Sequence, residues 1–535
     1  MAPITPSPAA HAAIPVEPMT LRQRHEALAA ILLGMFVAFL SSTIVSNALP
    51  TIIRDLHGSQ DQYTWIVVAT LLASTATTPI WGKLADRMSK KLLVQLSLVI
   101  FTVGSVLAGL AQNVPELIGA RAVQGLGLGG IQALAIIVIA AMFSPRERGR
   151  YQGPMAIVMS VATIAGPLIG GIIVDTSWLG WRWTFFIGVP LALVALIVVQ
   201  RTLNLPVIRQ LHGHIDYLGA ALITAGVSAL LIWVTLAGKQ FAWSSVTSYG
   251  LVAAGTVLLV IALLVELKSP DPIIPLHLFR DRTITLATIA SIAVGVALFG
   301  GSVFLGQYFQ IARGYSPTAA GLLTLPMMAG AMLSATISGQ LITRFGRWKR
   351  YLVAGAALMT AGFALLATLD HATDMRAVGV YLFVLGVGMG MTMQNLVLAV
   401  QNSVNPRELG TASATVTFFR SLGGAAGVSV LGAVLSTQVT SFTNSGLRAV
   451  GVNVPVGADA TIGNLNELPP PIAEVVRGAY GDGTAKIFFI AAILALISLV
   501  AIGFIRETVL RTQSCDEQLR DELAPEMLPA VVPAR

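Results

Sequence analysis

The chain has 535 residues, of which 55% are hydrophobic and 11% are charged, and its net charge is +8. This hydrophobic content excludes an ordinary soluble protein. Apolar runs of about 20 residues recur along the chain, and a helix needs about that length to cross the hydrocarbon core of a bilayer. Backbone polar groups in lipid must be satisfied within the segment, so the composition predicts an all-α polytopic membrane protein.

The apolar runs predict fourteen membrane spans that follow a tail of residues 1–26. In chain order they are 27–49, 63–81, 92–111, 116–143, 152–174, 183–200, 217–237, 249–267, 284–309, 318–342, 351–369, 377–400, 411–436 and 485–505. An even number of spans places both termini on the same side of the membrane.

The basic residues predict the orientation of these spans. Most of the 33 Lys and Arg residues fall in the loops and tails on the side of the termini. By the positive-inside rule that side is the cytoplasm, so we expect a multi-pass protein of the plasma (inner) membrane with both termini cytoplasmic. This asymmetry explains the net positive charge better than a nucleic-acid partner does, and we expect none.

The residues that usually carry chemistry give no sign of an enzyme. The single cysteine, Cys515, lies in the polar C-terminal tail, and all seven histidines fall in predicted loops or tails. This pattern supports neither a disulfide framework nor a metal cluster. We find no nucleotide-binding loop and no catalytic triad in the sequence, and we expect no cofactor.

The sequence contains an internal repeat. Gly125-Leu-Gly-Leu-Gly129 recurs as Gly386-Val-Gly-Met-Gly390, and Pro145-Arg-Glu-Arg-Gly149 recurs as Pro406-Arg-Glu-Leu-Gly410 at the same offset. The loop Gly82-Lys-Leu-Ala-Asp-Arg-Met-Ser-Lys is repeated in degenerate form from Gly339. Repeats on the same membrane side predict two parallel six-helix halves that rock around a site at the midplane.

This repeat divides the chain into five predicted parts. They are a cytoplasmic tail (1–26), an N-terminal six-helix bundle (27–200), a linker with two inserted helices (201–283), a C-terminal six-helix bundle (284–505) that includes an extracellular loop (437–484), and a cytoplasmic tail (506–535).

Several motifs together resemble the major facilitator superfamily, and within it the fourteen-span drug:proton antiporters. The loop from Gly82 to Lys91 resembles the signature between spans 2 and 3, and Leu117-Ile-Gly-Ala-Arg-Ala-Val-Gln-Gly125 resembles the motif of span 4. Ala165-Gly-Pro-Leu-Ile-Gly-Gly171 resembles the span-5 motif of exporters, which here comprises Gly166, Pro167, Gly170 and Gly171. The resemblance implies this superfamily's fold and the activity of a multidrug exporter.

The sequence departs from the family pattern in its acids. The run Leu40-Ser-Ser-Thr43 lacks the Asp that often precedes Thr in span 1, and no acidic residue lies well inside a predicted span. Proton coupling usually needs a group whose proton affinity differs between the two access states. The candidate carriers are Asp86, Glu147, Glu408, Glu116 or another acid at a span end, unless the substrate itself carries the charge.

We predict a gate at the opening loop. Asp86 and Arg87 could form a charge latch between the halves, with Glu147 or with backbone groups at span ends. Alternatively, the charges of this loop only fix topology and a tight turn.

We predict a central cavity lined by two arginines and by neutral polar side chains. Arg121 and Arg420 lie inside predicted spans, where an Arg costs about 2.5–3.5 kcal/mol and normally faces a cavity or a partner. The neutral candidates are Ser41, Asn47, Gln124, Gln307, Gln394 and Asn395. Amides amid methionines suit a mostly apolar, adaptable pocket, although such amides also join helices by hydrogen bonds.

The sequence therefore predicts a secondary-active exporter of hydrophobic or amphipathic compounds, with protons and the bilayer as its further partners and a monomer as its working form. A lipid or secondary-metabolite exporter of the same fold is the first alternative. A transporter-like sensor that moves nothing is the second.

Overall fold

The computed structural model describes residues 19–58, 60–176, 179–205, 216–238, 240–449, 470–515 and 517–518. Within these ranges the regular structure is helical, apart from one isolated bridge between Ala237 and Phe241. The all-α fold class is confirmed. In the described part of the chain, fourteen helical segments are long and apolar enough to cross a membrane, as the apolar runs predicted.

The described residues of the N-terminal half and the inserted pair form nine α-helices. They are α1 (Leu21–Asp55), α2 (Gln60–Arg87), α3 (Lys90–Leu110), α4 (Val114–Met142), α5 (Pro145–Asp175), α6 (Trp183–Phe186), α7 (Gly188–Thr202), α8 (Tyr217–Leu236) and α9 (Val246–Lys268). The short α6 and α7 together make one span.

The C-terminal half follows a 3-10 turn at Leu276–Arg280. Its helices are α10 (Arg282–Gln307), α11 (Pro317–Leu323), α12 (Leu325–Phe345), α13 (Lys349–Leu366), α14 (Met375–Ser403), α15 (Leu409–Ala449) and α16 (Pro470–Gly503). A π-helical turn extends α10, and α11 and α12 together make one span.

Several helices extend beyond the predicted boundaries. The first begins at Leu21 rather than at 27, because Thr20 and Gln23 form a reciprocal capping box. The predicted extracellular loop 437–484 was too long, since α15 continues to Ala449 and α16 already begins at Pro470. These extensions pack on each other, and a β-carbon at Gly446 would lie 2.6 Å from the side chain of Val475. Residues 450–469 lie outside the described part.

The internal repeat corresponds to repeated packing. Gly125 lets α4 approach α2 closely, because a β-carbon there would lie 2.5 Å from the carbonyl oxygen of Thr70. Its repeat, Gly386, brings α14 equally close to α12 at Met327. Each half also has its own cluster of buried apolar residues. Two similarly packed halves are the arrangement that a rocking mechanism requires.

One end of the molecule carries both described ends of the chain, and we call it the terminal face. Arg24 near the start of α1 pairs with Glu517 at 3.5 Å, which shows that the two ends meet there. The same face carries the ends of α2 and α12 and the starts of α5 and α15. Here the halves touch along two seams, α2 against α15 and α5 against α12.

Candidate functional site

The first seam brings the backbones of α2 and α15 together. A β-carbon on Gly82 would lie 2.8 Å from the carbonyl oxygen of Gly410, and one on Gly410 would lie 2.6 Å from the carbonyl oxygen of Gly82. Because both residues are glycine, the two helices can approach with no side chain between them. The predicted loop therefore lies directly at a contact between the halves.

Asp86 closes this seam by capping the start of α15. Its carboxylate accepts the backbone N–H groups of Gly410 and Thr411, each at 2.7 Å, and the hydroxyl of Thr411 at 2.6 Å. The first N–H groups of a helix have no partner within the helix and carry partial positive charge. A carboxylate from one half therefore binds the helix N-terminus of the other half.

The second seam is the repeat-related counterpart of the first, with the contributions of the two halves exchanged. Gly149 of α5 and Gly339 of α12 meet backbone to backbone, and these are the repeats of Gly410 and Gly82. Here a cation meets a helix C-terminus, since Arg146 donates to the carbonyl oxygens of Thr343 and Arg344 at 3.1 and 3.3 Å. Both seams thus pair a charged side chain with the oppositely polarised end of a helix.

The three residues predicted to form the gate bind different groups. Asp86 reaches backbone groups of α15, which was one of the two predicted partners. Glu147 instead accepts the backbone N–H and hydroxyl of Ser144, each at 3.1 Å, and so caps its own helix. Arg87 forms an ion pair with Asp271, in the connection between α9 and α10.

A deeper polar layer joins α5 to α14 behind the second seam. Arg148 is buried and donates to Gln401 of the other half at 2.6 Å, and to the carbonyl oxygens of Ala140 and Phe143 at 2.6 and 2.9 Å. One helical turn further along, Gln152 donates to Asn395 at 2.9 Å. This layer is a second contact between the halves.

Sequence reasoning found only Asn395 of this layer. Arg148 was assigned to a loop at a span end, and Gln152 and Gln401 were not singled out. Asp271 was missed as well, because an acid in a Pro-rich connection carries no signal of a partner almost two hundred residues earlier in the chain.

Arg121 is the centre of a buried polar network inside the N-terminal half. Its guanidinium donates to Gln124 at 2.5 Å, and the amide of Gln124 donates to Ser41 at 3.1 Å and to Ser105 at 2.8 Å. Thr70 donates to the carbonyl oxygen of Arg121 at 3.1 Å. The structure therefore unites three predicted cavity residues, Ser41, Arg121 and Gln124, and links α1, α2, α3 and α4 through them.

The remaining predicted cavity residues are dispersed. Arg420 is buried on α15, where its carbonyl oxygen closely approaches Gly295 of α10. Gln394 is half-buried beside Asn395, and Gln307 is half-buried at the end of α10. The side chain of Asn47 lies outside the described part of the structure.

The glycines of the predicted exporter motif differ in how much space surrounds them. A β-carbon on Gly166 would overlap the side chain of Thr43, whose hydroxyl donates to the carbonyl oxygen of Ala162 at 3.1 Å. Gly170 is also buried. At Gly171, by contrast, a β-carbon would meet nothing within 4 Å. The side chain of Pro167 is outside the description, and α5 continues without interruption through this position.

The other candidate proton carriers have their own partners, although Glu408 lines one cavity together with Asp86. Glu408 lies 2.8 Å from the imidazole of His277. Glu116 caps the start of α4 at the face opposite the terminal face, where it accepts the backbone N–H of Gln112 at 2.9 Å. Of the four candidate acids, Asp86 is the one that accepts hydrogen bonds from the other six-helix half.

The polar contacts of this site are hydrogen bonds and ion pairs, which can form and break repeatedly. Helix ends meet charged side chains across both seams, and amides and one buried guanidinium follow behind them. Among the described residues, no three His, Cys, Asp or Glu side chains gather as metal ligands.

Comparisons with known proteins agree with this architecture. The family model described as Major Facilitator Superfamily matches residues 31–428. An uncharacterized MFS-type transporter of Mycobacterium tuberculosis is 36% identical over 489 residues, which are 91% of this chain and 70% of that protein. Multidrug transporter protein MdtP of Bacillus subtilis is 32% identical over 521 residues, covering 92% of this chain and 95% of that protein.

The fold is also that of a solved transporter structure. The proton:xylose symporter XylE, bound to 6-bromo-6-deoxy-D-glucose, superposes with a TM-score of 0.59 at 15% identity, over 93% of this chain and 98% of that one. With the family model and the relatives, this likeness confirms the resemblance that the motifs indicated. The chain belongs to the Major Facilitator Superfamily and is a multi-pass membrane transporter, not an enzyme.

Proposed function

We propose that this protein is a secondary-active exporter of hydrophobic or amphipathic compounds, driven by proton influx and working by alternating access as a monomer. The observation that carries the proposal is the pair of repeat-related seams on the terminal face, Gly82 with Gly410 and Gly149 with Gly339. A transporter that alternates access must close one end with contacts that can separate again.

The terminal face is the cytoplasmic gate in this proposal. The basic residues predict that this face is cytoplasmic, and Asp86 and Arg146 each bind a helix end of the other half. These contacts are polar and lie at span ends, so water can replace them when the halves separate. The structure is therefore assigned to the state in which the cytoplasmic end is closed.

The substrate class follows from the residues between the halves. Gln394 and Asn395 are neutral amides on α14, and methionines neighbour them along that helix. A pocket of this kind favours neutral or amphipathic solutes over ions. The name of the Bacillus relative, a multidrug transporter, supports export of such compounds.

Asp86 is the group that we assign to proton coupling. Its carboxylate is held by three donors from the other half, and all three are lost when the first seam opens. Protonation removes the negative charge that these donors bind, so proton uptake and gate opening favour each other. Arg121 and its network complete the N-terminal wall of the cavity.

The test uses the purified protein in liposomes that contain a pH-sensitive dye. An imposed proton gradient and a neutral lipophilic drug should give substrate-dependent proton release that the Asp86→Asn variant lacks. Asp374→Asn is the matched control, because Asp374 caps α14 at the opposite face by accepting the backbone N–H of Arg376.

Two outcomes would contradict the proposal. Drug transport that is indifferent to collapse of the gradient would remove proton coupling. Movement of a labelled lipid between leaflets, with no drug transport, would favour the lipid-exporter alternative.

A further inference from the structure

The inserted helices α8 and α9 lie across the first seam. Apolar residues of α8, including Ile223 and Val227, share one buried cluster with Ile80 of α2 and Phe418 of α15. The pair therefore contacts both of the helices that must separate when the terminal face opens. It is more than a spacer between the two halves.

The connection that follows α9, residues 269–281, is held in a fixed turn. The carboxylate of Glu266 at the end of α9 accepts the backbone N–H groups of Ile273 and Ile274, each at 3.0 Å. The hydroxyl of Ser269 accepts the backbone N–H of Asp271 at 3.3 Å. Pro270 and Pro272 flank Asp271 and restrict the backbone further. The backbone at Asp271 is thus held in place by contacts within its own segment.

Asp271 binds both cations at the end of α2. It pairs with Lys83 at 2.5 Å and with Arg87, and the side chains of Lys83, Arg87 and Asp271 are only 9%, 10% and 17% exposed. The inserted segment therefore supplies counter-charge to both of these cations. Ion pairs this shielded from water are screened less than surface pairs.

The same connection also reaches the start of α15. His277 lies 2.8 Å from the carboxylate of Glu408, directly before α15. Two polar cavities, of about 430 and 340 Å³, flank Asp271 between these contacts. Residues 269–281 are therefore attached to α2 at one point and beside α15 at another, and one of these attachments must break when the first seam opens.

We propose that Asp271 is a positioning residue of the gate, and that the inserted helix pair exists in part to supply it. By holding Lys83 and Arg87, it stabilises the state in which the terminal face is closed. The proposal rests on the gate role assigned above to the first seam. It does not depend on the substrate or on proton coupling.

The test measures gate opening directly. The full chain would carry Cys515→Ser, with spin labels on cysteines at Leu92 and Phe345, which are exposed on α3 and α12 at the terminal face. Double electron–electron resonance in nanodiscs then reports the distance between the halves. We expect a short, closed distance to dominate, and Asp271→Asn to raise the ratio of long to short distances about tenfold, within the usual range of couplings between two states.

Three comparisons separate this role from a merely structural one. Asp281→Asn removes an equal charge from the same connection, where it caps α10 by accepting the backbone N–H of Thr283, and should leave the ratio unchanged. Asp271→Glu should restore most of the closed population. In a protein that already carries Lys83→Met and Arg87→Met, Asp271→Asn should have no further effect.

One result would contradict the role of Asp271 alone, and another would also contradict the gate role of the first seam. If the Asp271→Asn and unsubstituted proteins show both distances in the same ratio, the role of Asp271 is overturned and the gate role remains. A single distance in all variants would overturn both.

Discussion

The carboxylate of Asp86 accepts both the backbone N–H and the hydroxyl of Thr411, at 2.7 and 2.6 Å, across the contact between the two halves. Thr343 occupies the repeated position of Asp86 in the other half and provides a backbone carbonyl to Arg146. The two seams therefore use opposite charges, an acid at the end of α2 in the first and a base at the start of α5 in the second. Each suits the end of the helix that it binds, negative at an N-terminus and positive at a C-terminus.

Asp86→Asn should weaken closure of the terminal face. The new amide group would turn two donors toward the donors of Gly410 and Thr411, and a polar group left without its partner costs about 1–3 kcal/mol. We expect transport to fall by about tenfold, a loss of roughly 1.4 kcal/mol. Efflux from cells that express equal amounts of protein measures this, and Asp374→Asn should behave like the unsubstituted protein.

Gly149→Ala should prevent the second seam from closing. The new methyl group would collide with the backbone of Gly339, which cannot move aside as a flexible side chain would. Overpacking of this kind costs about 1–3 kcal/mol. The labelled pair Leu92 and Phe345 should then report a larger open population.

Gly171→Ala is the control for that substitution. It lies on the same helix, but its β-carbon would meet nothing within 4 Å. Alanine also favours a helix over glycine by about 1 kcal/mol, so this variant should be at least as stable as the unsubstituted protein. An equal loss of closure in both variants would show that α5 tolerates no added methyl group, and would contradict the seam as the cause.

Arg148→Lys should lower thermal stability although the charge is kept. Arg148 donates to three acceptors on two halves, and a lysine cannot reproduce this planar fork. Hydrogen bonds from a charged group contribute about 1.5–3 kcal/mol each, so the unfolding midpoint in detergent should fall clearly. Arg150→Lys, at an exposed position of the same helix, should leave the midpoint unchanged. Equal midpoints for both variants would refute the role of the deeper layer.

Arg121→Ala should abolish transport at normal expression. It leaves Gln124 without its strongest partner, and Gln124 in turn orients Ser41 and Ser105. Ser105→Ala removes a single partner of Gln124 and should reduce transport by about threefold, corresponding to a hydrogen bond of about 0.5–1.5 kcal/mol. Unchanged transport in Arg121→Ala would exclude this network from the cavity.

The inserted helices illustrate what could not be predicted from the sequence. The spans α8 and α9 were predicted from their apolar runs, yet their contact with the gate was not. The sequence around Asp271 does not reveal its partners. Lys83 and Arg87 are brought to it by packing of α8 on α2. The same holds for Gln152 and Asn395, whose contact depends on how the two halves dock.

The sequence by itself determined the class, the fourteen spans, the repeat and the family, because hydrophobic length and glycine patterns act locally along each helix. It also singled out Asp86 and Arg121 as candidate functional residues. Only the tertiary structure decided the distant partners: helix ends for Asp86 and Arg146, and Asp271 for Arg87. The physical reason is that charges and backbone ends pair through space, and the distances between helices depend on the packing of the whole bundle.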